Sequence, residues 1–448
     1  MDKVNENLME KVVALSKRRG FIYPGSEIYG GLSNSWDYGP LGVELKNNIK
    51  QAWWKRFVQL RDDIVGLDAA LIMNPKVWEA SGHLANFTDP LIECKKCHAR
   101  FRADHLDDES ICPNCGAKDS FTDTKVFNLM FKTFIGPAEE SANIAYFRPE
   151  TAQAIFADFK NILDTSRVKI PFGVAQIGKA FRNEITPGNF LFRVREFELM
   201  EIEYFFAPPK SEKQWQDAFE HWRKQVHSWI KDDLGLDATK VSEYEVPDKD
   251  RAHYSKKTID FMFEFPFGKE ELYGLAYRGD FDLKSHQESS GKDLKYKDQE
   301  TGEEYLPHVI EPAFGVDRSV LAVLVNGYLE ENGKVKLRLN PKLAPFKVAV
   351  FPLLSNKPEL VDLAKKIYLD LQKKFMVCWD ERGNIGGRYA SQDEIGTPFC
   401  VTVDFQSLED STVTVRERDT EEQTRVKIDK SENYIKEKLH GSRSSRNN

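Results

Sequence analysis

Apolar residues recur along this chain with two periods. Spacings of three and four predict helices: Leu8, Val12 and Leu15 mark one over 4–19 that Gly20 stops, and Leu45, Ile49, Trp53, Phe57 and Leu60 mark another over 43–60. That second stripe packs either inside its own subunit or against a partner, and periodicity does not separate the two. A short apolar strand is expected over 69–73, ending at Asn74-Pro75. A polar-faced helix over 211–234 carries Trp215, Phe219, Trp222, Val226 and Trp229, most simply a packing face. Alternation on either side of Thr186-Pro187-Gly188-Asn189, within 172–204, predicts an antiparallel hairpin. Strand character returns over 258–265 and 270–277, and a further strand runs through Gly315 into an apolar helix. Asn340-Pro341 and Ala344-Pro345 mark a linker. Beyond it a strand over 346–354, a helix over 358–375, a strand over 376–380, a loop with Gly383, Gly386 and Gly387, and strands near 398–405, 411–417 and 424–428 read as a small α/β domain. The division is therefore 1–340 and 341–448, with a tail over 440–448 expected to be disordered.

Composition narrows this picture only a little. Of 448 residues, 41% are hydrophobic and 30% charged, as in a globular chain. A net charge of −7 excludes a uniformly basic nucleic-acid binder but leaves room for a local phosphate-gripping patch. Asp2, Glu6 and Glu10 interrupt the N-terminal apolar residues and no run approaches membrane-spanning length, so a cytoplasmic protein with no membrane partner is expected. Arg278-Gly279-Asp280 spells an adhesion tripeptide, a coincidence in a chain with no secretion signal.

Cysteine placement is the clearest chemical signal. Cys94 and Cys97 form one pair and Cys112 and Cys115 another, with fourteen residues between the pairs. This zinc-ribbon spacing can set four thiolates tetrahedrally around one ion. A closed four-sulfur shell leaves no position for substrate, so the expected Zn²⁺ is structural, and such sites are worth about 10–16 kcal/mol in isolated fingers. His98 and His105 are read as bystanders.

Within the hairpin, Arg193, Arg195, Phe197, Leu199 and Glu201 share one face of the second strand, and Arg182 and Glu184 share one face of the first. Arginine forks, an aromatic ring and a carboxylate suit an anionic planar ligand such as ATP, although an ordinary solvated sheet face would alternate in the same way. The passage from strand to helix at Gly315 offers backbone N–H groups and a favourable dipole to phosphate, with Arg318 in the first helical turn. The glycine-rich run over 25–31 lacks the Lys-Ser/Thr ending of a P-loop and reads as tight turns.

Phe181-Arg182-Asn183-Glu184, a short loop, and Phe192-Arg193-Val194-Arg195-Glu196-Phe197 resemble motif 2 of the class II aminoacyl-tRNA synthetases, in wording similar to the glycyl enzymes. Glu311-Pro312-Ala313-Phe314-Gly315-Val316-Asp317-Arg318 resembles motif 3, and the helix, strand and proline over 43–75 have the layout of motif 1. WDYGPLG at 36–42, FRADH at 101–105, FNLMF at 127–131 and RPETAQ at 148–153 are similar to family wording. GNIGGRYASQDEIGTPF resembles the anticodon-binding domain shared by the glycyl, histidyl, prolyl and threonyl enzymes.

The resemblance covers nearly the whole chain outside 205–255, which is taken as a peripheral insertion, as about 90–120 is taken as the zinc ribbon. It implies an α+β fold, in which a class II antiparallel sheet flanked by helices carries the ribbon and is followed by an α/β anticodon-binding domain. It implies a bacterial-like homodimer with motif 1 at its interface, glycine, ATP with Mg²⁺ and tRNA(Gly) as ligands, and formation of glycyl-adenylate followed by transfer to the tRNA 3′ end. The implied ATP site comprises Arg182, Asn183, Glu184, Phe192, Arg193, Val194, Arg195, Glu196, Phe197, Glu271, Leu272, Gly315, Val316, Asp317 and Arg318. Arg182 is expected at the α-phosphate and the carboxylate, Arg193 and Arg318 at the outer phosphates, Phe197 under adenine and Glu184 at its amino group. The implied glycine site comprises Arg102, Glu150, Phe197, Glu198, Leu199, Met200, Glu201, Glu311, Ala313 and Gly315, with Glu150, Glu201 and Glu311 on the ammonium. Two positions depart from the pattern: Tyr277 replaces an acidic residue, and Ala313 replaces a serine that would hydrogen-bond glycine. A non-catalytic tRNA-binding descendant of a synthetase is the alternative, and intact Arg182, Glu184 and Arg318 speak against it.

Overall fold

The structure, a computed structural model, describes residues 3–106, 108, 110–137 and 143–441, so the expected disordered tail lies, over 442–448, outside the described residues. Helices α1 (Lys3–Arg19) and α2 (Pro40–Trp54) form where periodicity placed them, and a π turn carries α2 on through Phe57. Leu45, Ile49, Trp53 and Phe57 are fully buried against the chain's own sheet and helices, so these four form an internal packing face, while Leu60, the fifth of the stripe, is 72% exposed.

A seven-stranded sheet organises the larger domain. Its strands are β1 (Ile64–Gly66), β2 (Phe172–Phe181), β3 (Glu196–Phe206), β4 (Val241–Glu245), β5 (Lys257–Phe265), β6 (Gly268–Gly279) and β7 (His308–Gly315), in the order β4-β5-β6-β7-β3-β2-β1. Only the β1–β2 pair is parallel. The strand expected over 69–73 is reduced to one bridge between Ile72 and Phe147. Its carbonyls are taken by the buried Arg148 instead of by a neighbouring strand: the guanidinium donates to Ala69 O at 2.8 Å and the backbone N–H to Leu71 O at 3.3 Å.

The hairpin of β2 and β3 runs in register from Glu196↔Phe181 to Phe205↔Phe172. Its strands stop short of the expected platform, because Phe190, Leu191 and Phe192 must be covered and turn inward. Asn189 and Phe190 take left-handed backbone angles, φ 54° and 59°. The Asn34 side-chain amide fastens this loop, donating to the carbonyls of Gly188, Phe190 and Arg193 at 3.2, 2.9 and 2.6 Å.

Helices α3 (Glu212–Ser228), α4 (Phe281–Ser290) and α5 (Val316–Gly327) complete this layer. The 205–255 segment is not peripheral in its packing. Phe219, Trp222, Val226 and Trp229 are buried in the main core and β4 is an edge of the main sheet, since rings of this size must be covered.

After the linker a five-stranded sheet follows, in the order Val377–Trp379, Val348–Pro352, Phe399–Val403, Thr412–Glu417, Gln423–Lys427, with its own core. The glycine-bearing stretch expected as a loop is largely a helix, Ile385–Ile395, because the Asn384 side chain caps it by accepting from Gly387 N at 2.7 Å. Arg418, fully buried, donates to Leu339 O at 2.8 Å and to Gly396 O at 2.7 Å, tying this sheet to the linker. No helix among the described residues is long and apolar enough to cross a membrane.

Candidate active site

A cavity of about 350 Å³ opens on the face of the sheet where β3, β7 and β6 adjoin. Register sets Leu199 opposite Gly315 and Glu201 opposite Ala313, so two residues from each of two neighbouring strands meet there. The 182–195 loop supplies Arg182, Glu184, Phe192, Arg193 and Val194, β3 supplies Phe197, Glu198, Leu199 and Glu201, and β6 supplies Glu271 and Leu272. Ala313, Gly315, Asp317 and Arg318 close it from β7 and α5, and Arg102 reaches it from the cysteine-bearing segment. Phe87, Asp89, Leu129 and Leu191 also line it; sequence reasoning missed them, and only FNLMF held a signal, for Leu129.

Not every expected residue faces this space. Asn183, Arg195 and Glu196 line an adjacent groove with Trp36 and Lys179. Met200 and Val316 point into the main core, Met200 because a strand side chain one step from Leu199 and Glu201 faces the other way. Glu198 contributes backbone and flank, for its carboxylate is held by Lys46 Nζ at 2.6 Å and Lys50 Nζ at 3.1 Å. Asp317 accepts from the Tyr38 hydroxyl at 2.5 Å and from Glu198 N at 2.7 Å, so it locks β3 to α5. Glu150 and Glu311 lie beneath the floor.

The outer wall is cationic. Arg318 pairs with the Glu271 carboxylate at 3.1 Å, donates to Glu271 O at 2.8 Å, and lies 4.4 Å from the centroid of the Phe192 ring. Arg182 lies 5.4 Å from the rings of both Phe87 and Phe197. Arg318 beside it, with Arg182 and Arg193 farther off, holds the Glu271 carboxyl below its ordinary range. Arg318 pairs with this carboxylate while Arg182 and Arg193 add positive charge without contacting it, a field suited to a polyphosphate. Burial, with Glu271 near, pushes Asp260 up to about 7.

The floor is acidic and closed. Glu201 accepts from Thr151 N at 2.7 Å and from the Thr151 hydroxyl. Glu150 pairs with His83 at 3.2 Å and accepts from Gln153 at 2.9 Å; burial opposes its ionisation, but His83 and Arg278 hold it below the usual carboxylate range. Arg278, fully buried, donates to Glu311 at 2.9 Å and to both oxygens of Asp282 at 2.8 and 2.7 Å, with Tyr254 stacked 3.7 Å from it. Burial pushes Glu311 up to about 8, and burial and Glu150 push Glu201 up. Sequence reasoning missed Arg278 and Glu203; the alternation Glu201, Glu203 on one face of β3 was the available signal for the second.

The Cys94, Cys97, Cys112 and Cys115 sulfurs all lie within 4.8 Å of one another. Two like knuckles present them, each followed by a left-handed residue, His98 at φ 58° and Gly116 at φ 66°. The Ser120 hydroxyl lies 3.3 Å from Cys94 Sγ, and four thiols gathered this closely suit a thiolate-bound ion. The knuckles adjoin a sheet of Thr88–Glu93, Arg100–Arg102 and Lys125–Asn128, which puts Arg102 within 3.1 Å of Asp89 at the cavity.

Comparison with known proteins gives two family matches. The tRNA synthetase class II core domain (G, H, P, S and T) matches residues 133–327, and an anticodon binding domain matches 347–438. The chain is 53% identical over 466 residues to the glycine–tRNA ligase of Alkaliphilus oremlandii, covering 97% of this chain and 99% of that protein. It is 51% identical over 463 residues to that of Geobacillus thermodenitrificans, covering 96% and 97%, and 51% over 460 residues to that of Streptomyces coelicolor, covering 97% and 99%.

Proposed function

This chain belongs to the glycine–tRNA ligase family of class II synthetases, and from that premise we propose how its residues divide the work. The protein is a glycine–tRNA ligase: it activates glycine with ATP to glycyl-adenylate and transfers the glycyl group to the 3′ end of tRNA(Gly). The observation that carries the residue assignment is the juxtaposition, in and beneath one cavity, of an arginine wall and an acidic floor.

The nucleophile is the glycine carboxylate and the electrophile the α-phosphorus of ATP, so the protein contributes placement and charge rather than a nucleophile of its own. Arg182 bridges the α-phosphate and the glycine carboxylate, and Arg193 and Arg318 take the outer phosphates. Phe197 lies under adenine and Glu184 accepts from its amino group. Glu271, among these arginines, suits a Mg²⁺ that arrives with ATP and screens phosphate charge. Glu201 receives the ammonium on the floor, with Glu150 and Glu311 adding negative charge from beneath it, and the crowded floor leaves no place for a Cβ, so larger amino acids are rejected sterically. The four cysteines hold a structural Zn²⁺ that fixes the strand bearing Arg102. Residues 341–448 read the anticodon, and the enzyme works in the cytoplasm as a homodimer of the bacterial-like type.

Amino-acid-dependent exchange of pyrophosphate into ATP, run without tRNA across glycine, alanine, serine and proline, tests this reading. Exchange is expected with glycine alone. Glu201→Ala should weaken glycine use by about 2 kcal/mol or more, with the KM for ATP unchanged, because it removes a buried charge partner. Normal glycine-dependent exchange in that variant would refute the floor assignment.

A further inference from the structure

One carboxyl group beneath the floor has no role in the scheme above. Glu203 follows Glu201 on the same face of β3, is 0% exposed, and neither of its oxygens has a hydrogen-bond partner. The pairs Glu201↔Ala313 and Tyr204↔Ile310 bracket it and set it opposite Glu311 on β7. Like charges directly opposed on adjacent strands repel, and a buried unpartnered carboxylate carries a large desolvation cost. The charged groups facing this pair are Glu201 on the same strand β3, Arg278 on β6, Asp282 on α4 and Glu150 in the turn before Thr151. Arg278 already serves Asp282 and Glu311, and His83 serves Glu150. Tyr254 covers Arg278, and burial lowers His286, which stands 2.8 Å from Gln153. One guanidinium does not balance this set, so the pair keeps a proton while the cavity is empty. Burial, with Glu311 facing it, also pushes the Glu203 carboxyl well up.

We propose that Glu203 is a positioning residue for the amino acid: the opposed pair of Glu203 and Glu311 retains one proton in the ligand-free enzyme, and arrival of the substrate ammonium on the floor expels that proton to solvent. The ammonium brings one positive charge and the pair gives up one, so the buried charge is unchanged on binding. A neutral analogue with no cationic nitrogen does not displace the proton. This rests on the reading of the floor as the ammonium site.

The test is calorimetry of glycine binding to the wild-type enzyme in buffers of different ionisation enthalpy, with the KM for glycine in pyrophosphate exchange followed from about pH 6 to about pH 9. Release of close to one proton per glycine is expected at neutral pH. KM should fall about tenfold per unit rise in pH until the pair is ionised, because binding that releases a proton tightens as protons become scarce. Glu203→Gln should abolish the release and the slope and raise KM at the alkaline end, leaving kcat and the KM for ATP in place, since Arg278 then keeps Glu311 ionised. No proton release from the wild type, or an unchanged slope in Glu203→Gln, overturns the proposal while glycine activation stands. Absence of glycine-dependent exchange in the wild type would instead strike the functional reading itself. The wild-type proton count holds whether or not the variant folds.

Discussion

At Gly178 in β2 the volume a Cβ would occupy is taken by the Arg148 guanidinium, 2.1 Å from the ideal Cβ position. Arg148 is buried and donates to Lys179 O at 2.7 Å and Ala69 O at 2.8 Å, so its end has no room to swing away. Gly178→Ala should lower stability by about 1–3 kcal/mol as an overpacked core and displace the turn that carries Glu150 and Thr151. Urea unfolding checks the first effect and the KM for glycine the second; a variant with wild-type values for both would show that Arg148 is replaceable. Nothing in the one-dimensional pattern marks this pair. Residue types that do chemistry at a surface were legible: the arginines of the wall, the ring at Phe197 and the cysteines follow from spacing and wording. Buried charges such as Arg148, Arg278 and Glu203 were not, because their meaning comes from partners on other strands that local sequence does not name.

Among elements, long periodic segments were readable and short irregular ones were not. The helices over 4–19 and 358–375 and the strands over 258–265 formed close to their expected bounds, since each buries one face of a regular pattern. The 182–195 loop broke the alternation because three apolar residues outcompeted strand pairing. The glycines of 383–387 suggested a loop, but the Asn384 cap and the apolar face beyond it made a helix. The cysteine segment is the element whose stability rests least on apolar burial, as its three strands are short. If Zn²⁺ supplies its folding free energy, metal analysis of purified protein should find one Zn²⁺ per chain. Chelation, or Cys112→Ser, should then raise the KM for glycine through loss of Arg102 placement while the main sheet stays folded by circular dichroism. Full activity in metal-free protein would remove the structural role.

For the whole molecule, two sheets with separate cores matched the linker chemistry at Asn340-Pro341, but their tethering did not show in sequence: Arg18 donates to Glu394 at 3.1 Å, and Ile395 packs into the main core. Subunit number was the other question periodicity left open. The α2 stripe is consumed internally except for Leu60, so the proposed homodimer needs apolar surface beyond it. Ile28, Tyr29 and Leu32 are 87%, 86% and 65% exposed, and Leu32 borders a groove lined by Trp36, Phe131 and Phe147, where Phe147 bridges to the exposed Ile72. These exposed apolar side chains stand beside a groove whose lining also carries Lys46, Lys179, Arg195 and Glu196, and each large apolar side chain covered there is worth about 1.5–3 kcal/mol. In the proposed homodimer a second copy would cover these side chains, which would make the loop holding Asn34 both an interface element and the clasp of the 182–195 loop. Sedimentation velocity at micromolar protein should therefore give twice the 51.6 kDa chain mass. Combining Tyr29→Asp with Leu32→Asp should shift the boundary to one chain and depress exchange as the 182–195 loop loosens. A wild type that sediments as one chain at the concentrations where it is fully active would show that the cavity is complete without a partner.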